Sequence, residues 1–201
     1  MKARANIFIR NLVRLSAWTA LARAGLLAMA LGSAAPASAA DSDGLTLEQR
    51  VKAAFLYQFA GYVEWPPMTF AQPGAPVTIG VVGAAPLAAE LAHVAAGRSV
   101  GGRPVTVRRI RPGESLAGVH ILFIGRDESA RVGQLARNAM PQSILTVTET
   151  DGALDLGSMI NFIVVDRRVR FEVALDSAER GGLKLSSRLL SVARQVRTGT
   201  P

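Results

Sequence analysis

The stretch between Glu90 and Glu114 has the residue types and spacing expected of an anion-binding site. It carries five arginines and no acidic residue, and the glycines at 101 and 102 would let backbone amides come close to a ligand. Guanidinium groups bind carboxylates and phosphates through two parallel hydrogen bonds. We therefore predict an anion or ligand-binding site at Arg98, Arg103 and Arg108. The alternative is a solvated strand face beside a loop, because neighbouring arginines on a strand point to opposite faces.

A second charged pattern lies further along the chain, where Arg168, Arg170 and Glu172 alternate with apolar residues. This alternation predicts a strand with one face in solvent. If the strand lay at the edge of a sheet, it could instead receive a partner protein. Arg168, Arg170 and Glu172 are therefore candidate partner-binding residues, and a solvated strand face is the alternative.

Residues for catalysis or metal binding do not occur in a recognisable arrangement. His93 and His120 are far apart and fit no zinc-binding spacing. The acidic residues Glu149, Asp151 and Asp155 follow a predicted strand and could bind a hard cation, although a solvated loop is their more common role. The chain has no cysteine, which excludes disulfides, thiol catalysis and thiolate metal sites. The sequence thus predicts no catalytic residue, no metal site, no cofactor and no enzymatic activity.

Residues 1–39 have the pattern of a secretory signal peptide. A basic segment without acidic residues precedes an apolar stretch over 24–35, and a small-x-small motif follows at 37–39. Cleavage after Ala39 would leave residues 40–201 as one exported domain, whereas an uncleaved anchor helix is the alternative. Five of the 23 lysines and arginines lie in this segment, so the other 18 against 15 acidic residues give a charge of +3. Net charge therefore gives little support to a nucleic-acid partner.

The hydrophobic pattern of residues 40–201 predicts alternating strands and helices within one domain. Thr46 and Gln49 form a capping-box pattern before the first helix, and Pro66 and Pro67 end it. The order of elements predicts a single layered α/β domain, with a largely parallel or mixed sheet flanked by helices and a C-terminal β-hairpin and helix. The predicted elements are a helix over 47–63, a strand over 77–82, a helix over 86–96, strands over 104–110 and 120–124, a helix over 127–138, a strand over 144–147, a hairpin of strands over 159–165 and 169–175, and a last helix from Ser186 or Ser187 through Val196.

Two stretches together resemble the YfiR-like family of periplasmic regulatory proteins. One is the segment 51–59 (VKAAFLYQF), which leads into Glu64-Trp65-Pro66. The other begins at Phe171-Glu172-Val173 and continues through 182–190 (GLKLSSRLL). Between them, the segments 102–105, 120–124 and 145–148 follow the order found in the family. The resemblance extends over essentially all of residues 40–201 and includes no catalytic signature.

The resemblance implies an α/β fold and a regulator that binds the periplasmic sensor part of an inner-membrane receptor, typically a diguanylate cyclase, and holds it inactive. Cyclic di-GMP output and biofilm formation would then fall. The chain departs from the family at Val119, where members often have a cysteine, and at Ala174, where they often have an asparagine. Redox control through disulfides therefore cannot operate in this chain.

The runner-up function is a periplasmic small-ligand-binding protein for transport or sensing. In an α/β fold of this kind, the ligand would lie at the carboxyl ends of the parallel strands, near Gly83, Gly125 and Glu149. A homodimer is also compatible with the sequence.

Overall fold

The computed structural model describes residues 46–199, which form an eight-stranded mixed sheet with helices on both faces. The predicted signal peptide, residues 1–39, lies outside the described residues. The predicted α/β class with a flanked mixed sheet is confirmed. The helices are α1 (Leu47–Phe59), α2 (Ala85–Ala95), α3 (Val132–Ala139), α4 (Leu175–Arg180) and α5 (Ser187–Val192). The strands are β1 (Val63–Glu64), β2 (Val77–Val82), β3 (Ser99–Val100), β4 (Arg103–Arg109), β5 (Ile121–Ile124), β6 (Leu145–Thr148), β7 (Ile160–Val165), β8 (Arg168–Ala174), β9 (Lys184–Leu185) and β10 (Gln195–Arg197).

The strand order of the main sheet is β10-β8-β7-β6-β5-β2-β4-β3. Strands β4, β2, β5, β6 and β7 run parallel, whereas β3 pairs antiparallel with β4 and β8 pairs antiparallel with β7. β2 is the first parallel strand in the chain, yet it lies between β4 and β5. Strands that follow it in the chain therefore lie on both sides of it, and the strand order reverses at β2. The connections that leave the carboxyl ends of neighbouring strands run to opposite sides at such a reversal and leave a crevice there.

Each face of the sheet has its own apolar core. On one face, Leu56 and Phe59 of α1 pack with Leu91 of α2 against the inward side chains of the strands. On the other face, Val132 and Leu135 of α3 pack against alternate residues of the same strands. Burial on both faces explains why the central strands are continuous apolar runs, since apolar surface removed from water contributes about 25 cal/mol per Å².

Helix α1 begins as the sequence predicts and ends earlier. The side chain of Thr46 accepts a hydrogen bond from the backbone of Gln49 at 3.2 Å, and the backbone of Thr46 donates to the side chain of Gln49 at 3.0 Å. The helix ends at Phe59, because the N–H groups of Gly61 and Tyr62 bond to carbonyls three residues back. The predicted helical continuation to 63 is therefore wrong, and Val63–Glu64 pairs with β9 instead.

The predicted hairpin is present with a shorter turn. Asp166 and Arg167 alone form the turn, both with positive φ (50° and 59°), so Arg168 belongs to the strand. Such a two-residue turn matches the twist of the flanking strands. Residue 175, predicted in the second strand, instead begins the unpredicted helix α4.

The last predicted helix is half correct. Ser186 caps it, with its hydroxyl accepting the N–H of Leu189 at 3.3 Å, but α5 ends at Val192. Val196 lies in β10, which runs parallel to residues 172–174 of β8. The apolar spacing of this segment suits a helix, and pairing with a strand distant in sequence overrides it. β10 also means that only the first half of β8 lies at the sheet edge.

Candidate functional site

A groove lies between the outer side of α1 and the β7–β8 hairpin, and we call it the hairpin groove. Its cavity has a volume of about 500 Å³. Leu47, Val51 and Phe55 recur every four residues, so they form one stripe of α1 along this cavity. The other lining residues are Glu48, Val164, Arg167, Arg168, Val169 and Arg170.

The apolar lining of the hairpin groove is exposed to solvent. The side chains of Leu47 and Val164 are 76% and 49% exposed. A second cavity of about 290 Å³ shares Phe55 and Arg170 with the groove and extends it toward α5, where Val192 is 57% exposed. Exposed apolar side chains around two adjoining cavities make this surface a candidate for binding another molecule.

Arginines of the hairpin border this apolar surface, and no carboxylate among residues 46–199 pairs with them. Arg167, Arg168 and Arg170 are exposed, and among residues 46–199 none of the three forms an ion pair. Glu48 also lines the groove, but its carboxylate pairs with Lys52. The hairpin groove therefore combines apolar surface with uncompensated positive charge.

The structure brings two of the three predicted partner-binding residues to this groove. Arg168 and Arg170 line it together, whereas Glu172 does not. Glu172 is half-buried and pairs in register with Asn161 of β7 and Gln195 of β10. The alternation of the sequence identified the strand face, but it could not show that β10 covers one end of the strand.

The three predicted anion-binding arginines are not brought together. Arg98 lies over the ring of Tyr57, with its guanidinium carbon 5.6 Å from the ring centroid. Arg103 and Arg108 are five residues apart on β4 and therefore project from opposite faces of the sheet.

Within the described residues, the guanidinium groups of Arg103 and Arg108 bind carbonyls of their own chain. Arg103 donates to the carbonyl of Ala75 at 2.9 Å, and Arg108 donates to those of Ser115 and Ala117 at 2.7 and 3.1 Å. These bonds fix loops against the sheet. An anion site at Arg98, Arg103 and Arg108 stays a prediction.

A second cavity of interest lies beyond the carboxyl ends of the neighbouring strands β2 and β5, where the strand order reverses, and we call it the switch-point crevice. Its volume is about 370 Å³, and it is lined by α1, by the start of α2 and by the segments that follow β2, β5 and β6. The lining includes Gly83 and Glu149, two of the three residues at which the sequence predicts a ligand.

The wall of the switch-point crevice contains a closed network of ion pairs. Lys52 is only 2% exposed and forms ion pairs with both Glu48 and Glu149. The backbone N–H of Arg126 donates to Glu149 Oε1 at 3.1 Å, and its guanidinium lies 3.6 Å from Glu48. Two cations are thus compensated by two carboxylates of the same chain.

Close backbone packing shapes the crevice. A Cβ atom on Gly125 would lie 2.3 Å from the carbonyl oxygen of Gly83, a distance that no side chain can occupy. Gly83 itself has φ of +66°, and a Cβ there would lie 2.7 Å from Glu128. Both positions therefore require glycine if the crevice is to keep its shape.

The two histidines are separate and have different surroundings. His93 is exposed on α2, whereas His120 is 5% exposed and its Nδ1 accepts the N–H of Thr78 at 3.1 Å. The ring of His120 stacks on Phe70 with centroids 4.5 Å apart. Burial and the nearby charge of Arg103 lower the pKa of His120, so the folded state favours the neutral imidazole.

The predicted acidic group does not form one cation site. Glu149 belongs to the switch-point crevice, Asp155 pairs with Arg197 at 2.6 Å, and Asp151 is exposed. Within residues 46–199, no three histidine or acidic side chains converge as a metal site would require.

Sequence reasoning missed side chains that both cavities depend on. Lys52 had a local signal, because Glu48 precedes it by one helical turn, but its other partner Glu149 is 97 residues away. The stripe of Leu47, Val51 and Phe55 was readable as one helix face, yet nothing local showed that this face stays open.

The family model for YfiR/HmsC-like proteins matches residues 49–194, which include most of both cavities. The chain belongs to the YfiR/HmsC-like family. This confirms the resemblance found in the sequence, and it supports a regulatory role and a periplasmic location for the chain. No curated protein matches the chain.

Among solved structures, this YfiR/HmsC-like chain is similar to a conserved domain protein from Vibrio cholerae O1 biovar El Tor, with a TM-score of 0.52 and 9% identity. The match covers 74% of this chain and 60% of the Vibrio chain, so it spans less than two thirds of that protein. At this identity the similarity supports the fold alone. Within residues 46–199, no helix has the length and apolar character needed to cross a membrane.

Proposed function

We propose that this YfiR/HmsC-like protein is a non-enzymatic periplasmic regulator that docks on the periplasmic sensor part of an inner-membrane signalling protein and holds it inactive. The proposed receptor is a diguanylate cyclase, so docking would lower cyclic di-GMP. The observation that carries the proposal is the hairpin groove, an exposed apolar surface bordered by arginines that form no ion pair within residues 46–199. Membership in a regulatory family supports the same conclusion.

The physical chemistry of the groove suits a protein partner. Binding interfaces combine an apolar centre with a polar rim, and arginine is enriched among the residues that dominate binding energy. Leu47, Val164 and Val192 would leave water on binding, and each Å² of apolar area contributes about 25 cal/mol before the costs of association. Arg168 and Arg170 would attract an acidic partner face and increase its rate of association.

Deletion of the gene tests the proposal. If the protein represses a cyclase, cyclic di-GMP and biofilm formation rise in the deletion strain. Expression of the exported wild-type chain then lowers both to their wild-type levels. The control is a strain in which the gene of the proposed cyclase is deleted as well, where no rise should occur. Unchanged cyclic di-GMP in the single deletion, with the receptor intact, would contradict the proposal.

A second candidate function is a periplasmic small-ligand-binding protein, and the switch-point crevice favours it. Ligands of α/β proteins bind where the strand order reverses, and this crevice has a suitable volume of about 370 Å³ with charged side chains in its wall. A ligand that carries both charges could exchange with the ion pairs of Arg126 and Glu48.

Thermal unfolding in the presence of candidate metabolites tests this second function. A ligand at a hundred times its Kd should stabilise the fold by about 2.7 kcal/mol. Arg126→Ala should weaken the effect, and Arg109→Ala, an exposed arginine on β4, is the matched control. Equal stabilisation of wild type, Arg126→Ala and Arg109→Ala would show that the ligand does not bind in the crevice.

A further inference from the structure

The hairpin turn determines which backbone groups of β8 point away from β7. Val165 and Arg168 flank a two-residue turn, so they form a hydrogen-bonded pair, and such pairs alternate along an antiparallel ladder. The N–H and C=O groups of Val169 and Phe171 therefore point to the outer edge of the sheet. The carbonyl of Phe171 confirms this orientation, because it accepts the N–H of Arg194 at 2.9 Å.

The outer edge of β8 is only half covered. β10 pairs with residues 172–174, Arg194 just before it bonds to Phe171, and α5 ends at Val192. In the part of the chain that the structure describes, no strand pairs with residues 168–170 on this edge. The N–H and C=O groups of Val169 thus face an empty strand position, in line with β10. An uncovered edge of this kind is a template for a strand from another chain.

The side chains around the empty position define the partner that would fit. On the side of the sheet that faces α1, the hairpin groove offers Phe55, Val164 and Val169 as an apolar lining. Arg168 and Arg170 are exposed beside it, and Arg188 lines the adjoining cavity. An incoming strand would therefore need apolar side chains toward the groove and acidic side chains toward the arginines.

We propose that the outer edge of β8 at residues 168–170 receives an extended, acidic and apolar segment of the receptor as an added strand, whose apolar side chains fill the hairpin groove. This inference rests on the proposed function and specifies how docking occurs. Main-chain hydrogen bonds from Val169 supply affinity, and the groove with its arginines supplies selectivity. The added strand extends the line of β10 along β8.

A peptide experiment on the mature chain tests strand addition without knowledge of the receptor. The probes are a short capped peptide of alternating valine and glutamate, its lysine analogue and a version N-methylated at alternate amides, all measured by calorimetry. The glutamate peptide should bind, and both analogues should bind at least about tenfold more weakly, because one repels the arginines and the other cannot pair. Absence of binding by the glutamate peptide, or equal binding by the N-methylated peptide, would overturn the proposal.

Variants of the chain provide the complementary test. Val169→Pro removes the outward N–H without removing a bond to β7, and Arg168→Glu reverses charge beside the empty position. Both should lose at least about tenfold in affinity for the glutamate peptide, while Arg109→Glu, on the far side of the sheet, should bind as wild type does. Unchanged binding by Arg168→Glu and Val169→Pro would exclude the edge. If the wild-type chain is a dimer and Val169→Pro makes it a monomer, the edge binds a second copy of this chain instead.

Failure of this inference can be told apart from failure of the proposed function. If wild type and Val169→Pro repress the cyclase equally, the docking function stands and strand addition at β8 is wrong. If deletion of the gene leaves cyclic di-GMP unchanged while the peptide still binds the edge, the groove exists and the proposed receptor is wrong.

Discussion

The switch-point crevice and the hairpin groove both contain basic side chains, but only the crevice compensates them. Lys52 and Arg126 in the crevice are paired with Glu48 and Glu149. Arg168 and Arg170 in the groove have no ionic partner among the described residues and stand beside exposed apolar side chains. In the first arrangement the buried charge of Lys52 has the partners it requires, whereas in the second the arginines stay in solvent, where the proposed partner could reach them.

The largest expected effect on stability follows from removing a carboxylate of the crevice. Glu149→Ala leaves the 2% exposed Lys52 with Glu48 alone, and we expect a loss of about 3 kcal/mol in the free energy of unfolding, measured in urea. Lys52→Met combined with Glu149→Leu should recover most of this loss, because both charges are then absent. A loss below about 0.5 kcal/mol for Glu149→Ala would show that the crevice network does not stabilise the fold and would remove the contrast with the groove.

A change in backbone packing sharpens the account of the crevice. Gly125→Ala places a Cβ atom 2.3 Å from the carbonyl of Gly83, so we expect a loss of about 2 kcal/mol as the strand ends move apart. Gly133→Ala is the matched control, since its nearest neighbour is the flexible end of Arg137 at 3.3 Å and alanine favours helix α3. Equal stability of the two variants would contradict the close approach that shapes the crevice.

The pH dependence of stability extends the comparison to another buried basic side chain. The pKa of His120 is lowered in the folded state, so the unfolded chain binds more protons between that lowered value and 6.5. Its contribution to stability is therefore complete above pH 6.5 and is lost as the pH falls. Urea titrations from neutral to mildly acidic pH should show this loss in wild type and a smaller one in His120→Gln. Identical slopes would mean that His120 is not held neutral.

The smallest effect on stability belongs to the hairpin groove. Arg168→Ala and Arg170→Ala should each change the free energy of unfolding by less than about 0.5 kcal/mol, because both side chains are exposed and form no ion pair with the rest of the described chain. Arg131→Ala is the control for an arginine with a partner, since it pairs with Glu128 at 2.9 Å. A large loss in the free energy of unfolding for either groove variant would show that the arginine stabilises the fold. This result would weaken the case that it binds a partner.

Local signals predicted much of the fold. The capping box at Thr46 placed the start of α1, and the apolar runs of the central strands placed β2, β5 and β6, whereas the proline pair did not place the end of α1. Pairing between distant segments was not predictable in the same way. The segment at Val196 has helical spacing and becomes a strand only because β8 has a free edge beside it.

The candidate sites also combine features that the local sequence predicts with features that depend on distant segments. Alternation along β8 identified Arg168 and Arg170, which the structure brings to one groove. The other wall of that groove comes from α1, more than a hundred residues earlier, so sequence spacing could not reveal it. Clustering of Arg98, Arg103 and Arg108 in sequence did not become clustering in space, because β4 directs Arg103 and Arg108 to opposite faces.

The most direct test of docking is the affinity of purified residues 40–201 for the periplasmic part of the proposed cyclase receptor. We predict that Arg170→Glu weakens this binding by at least about tenfold, or about 1.4 kcal/mol, while Arg109→Glu binds as wild type does and all three chains unfold at the same urea concentration. Equal affinities of Arg170→Glu, Arg109→Glu and wild type would contradict docking through the hairpin groove.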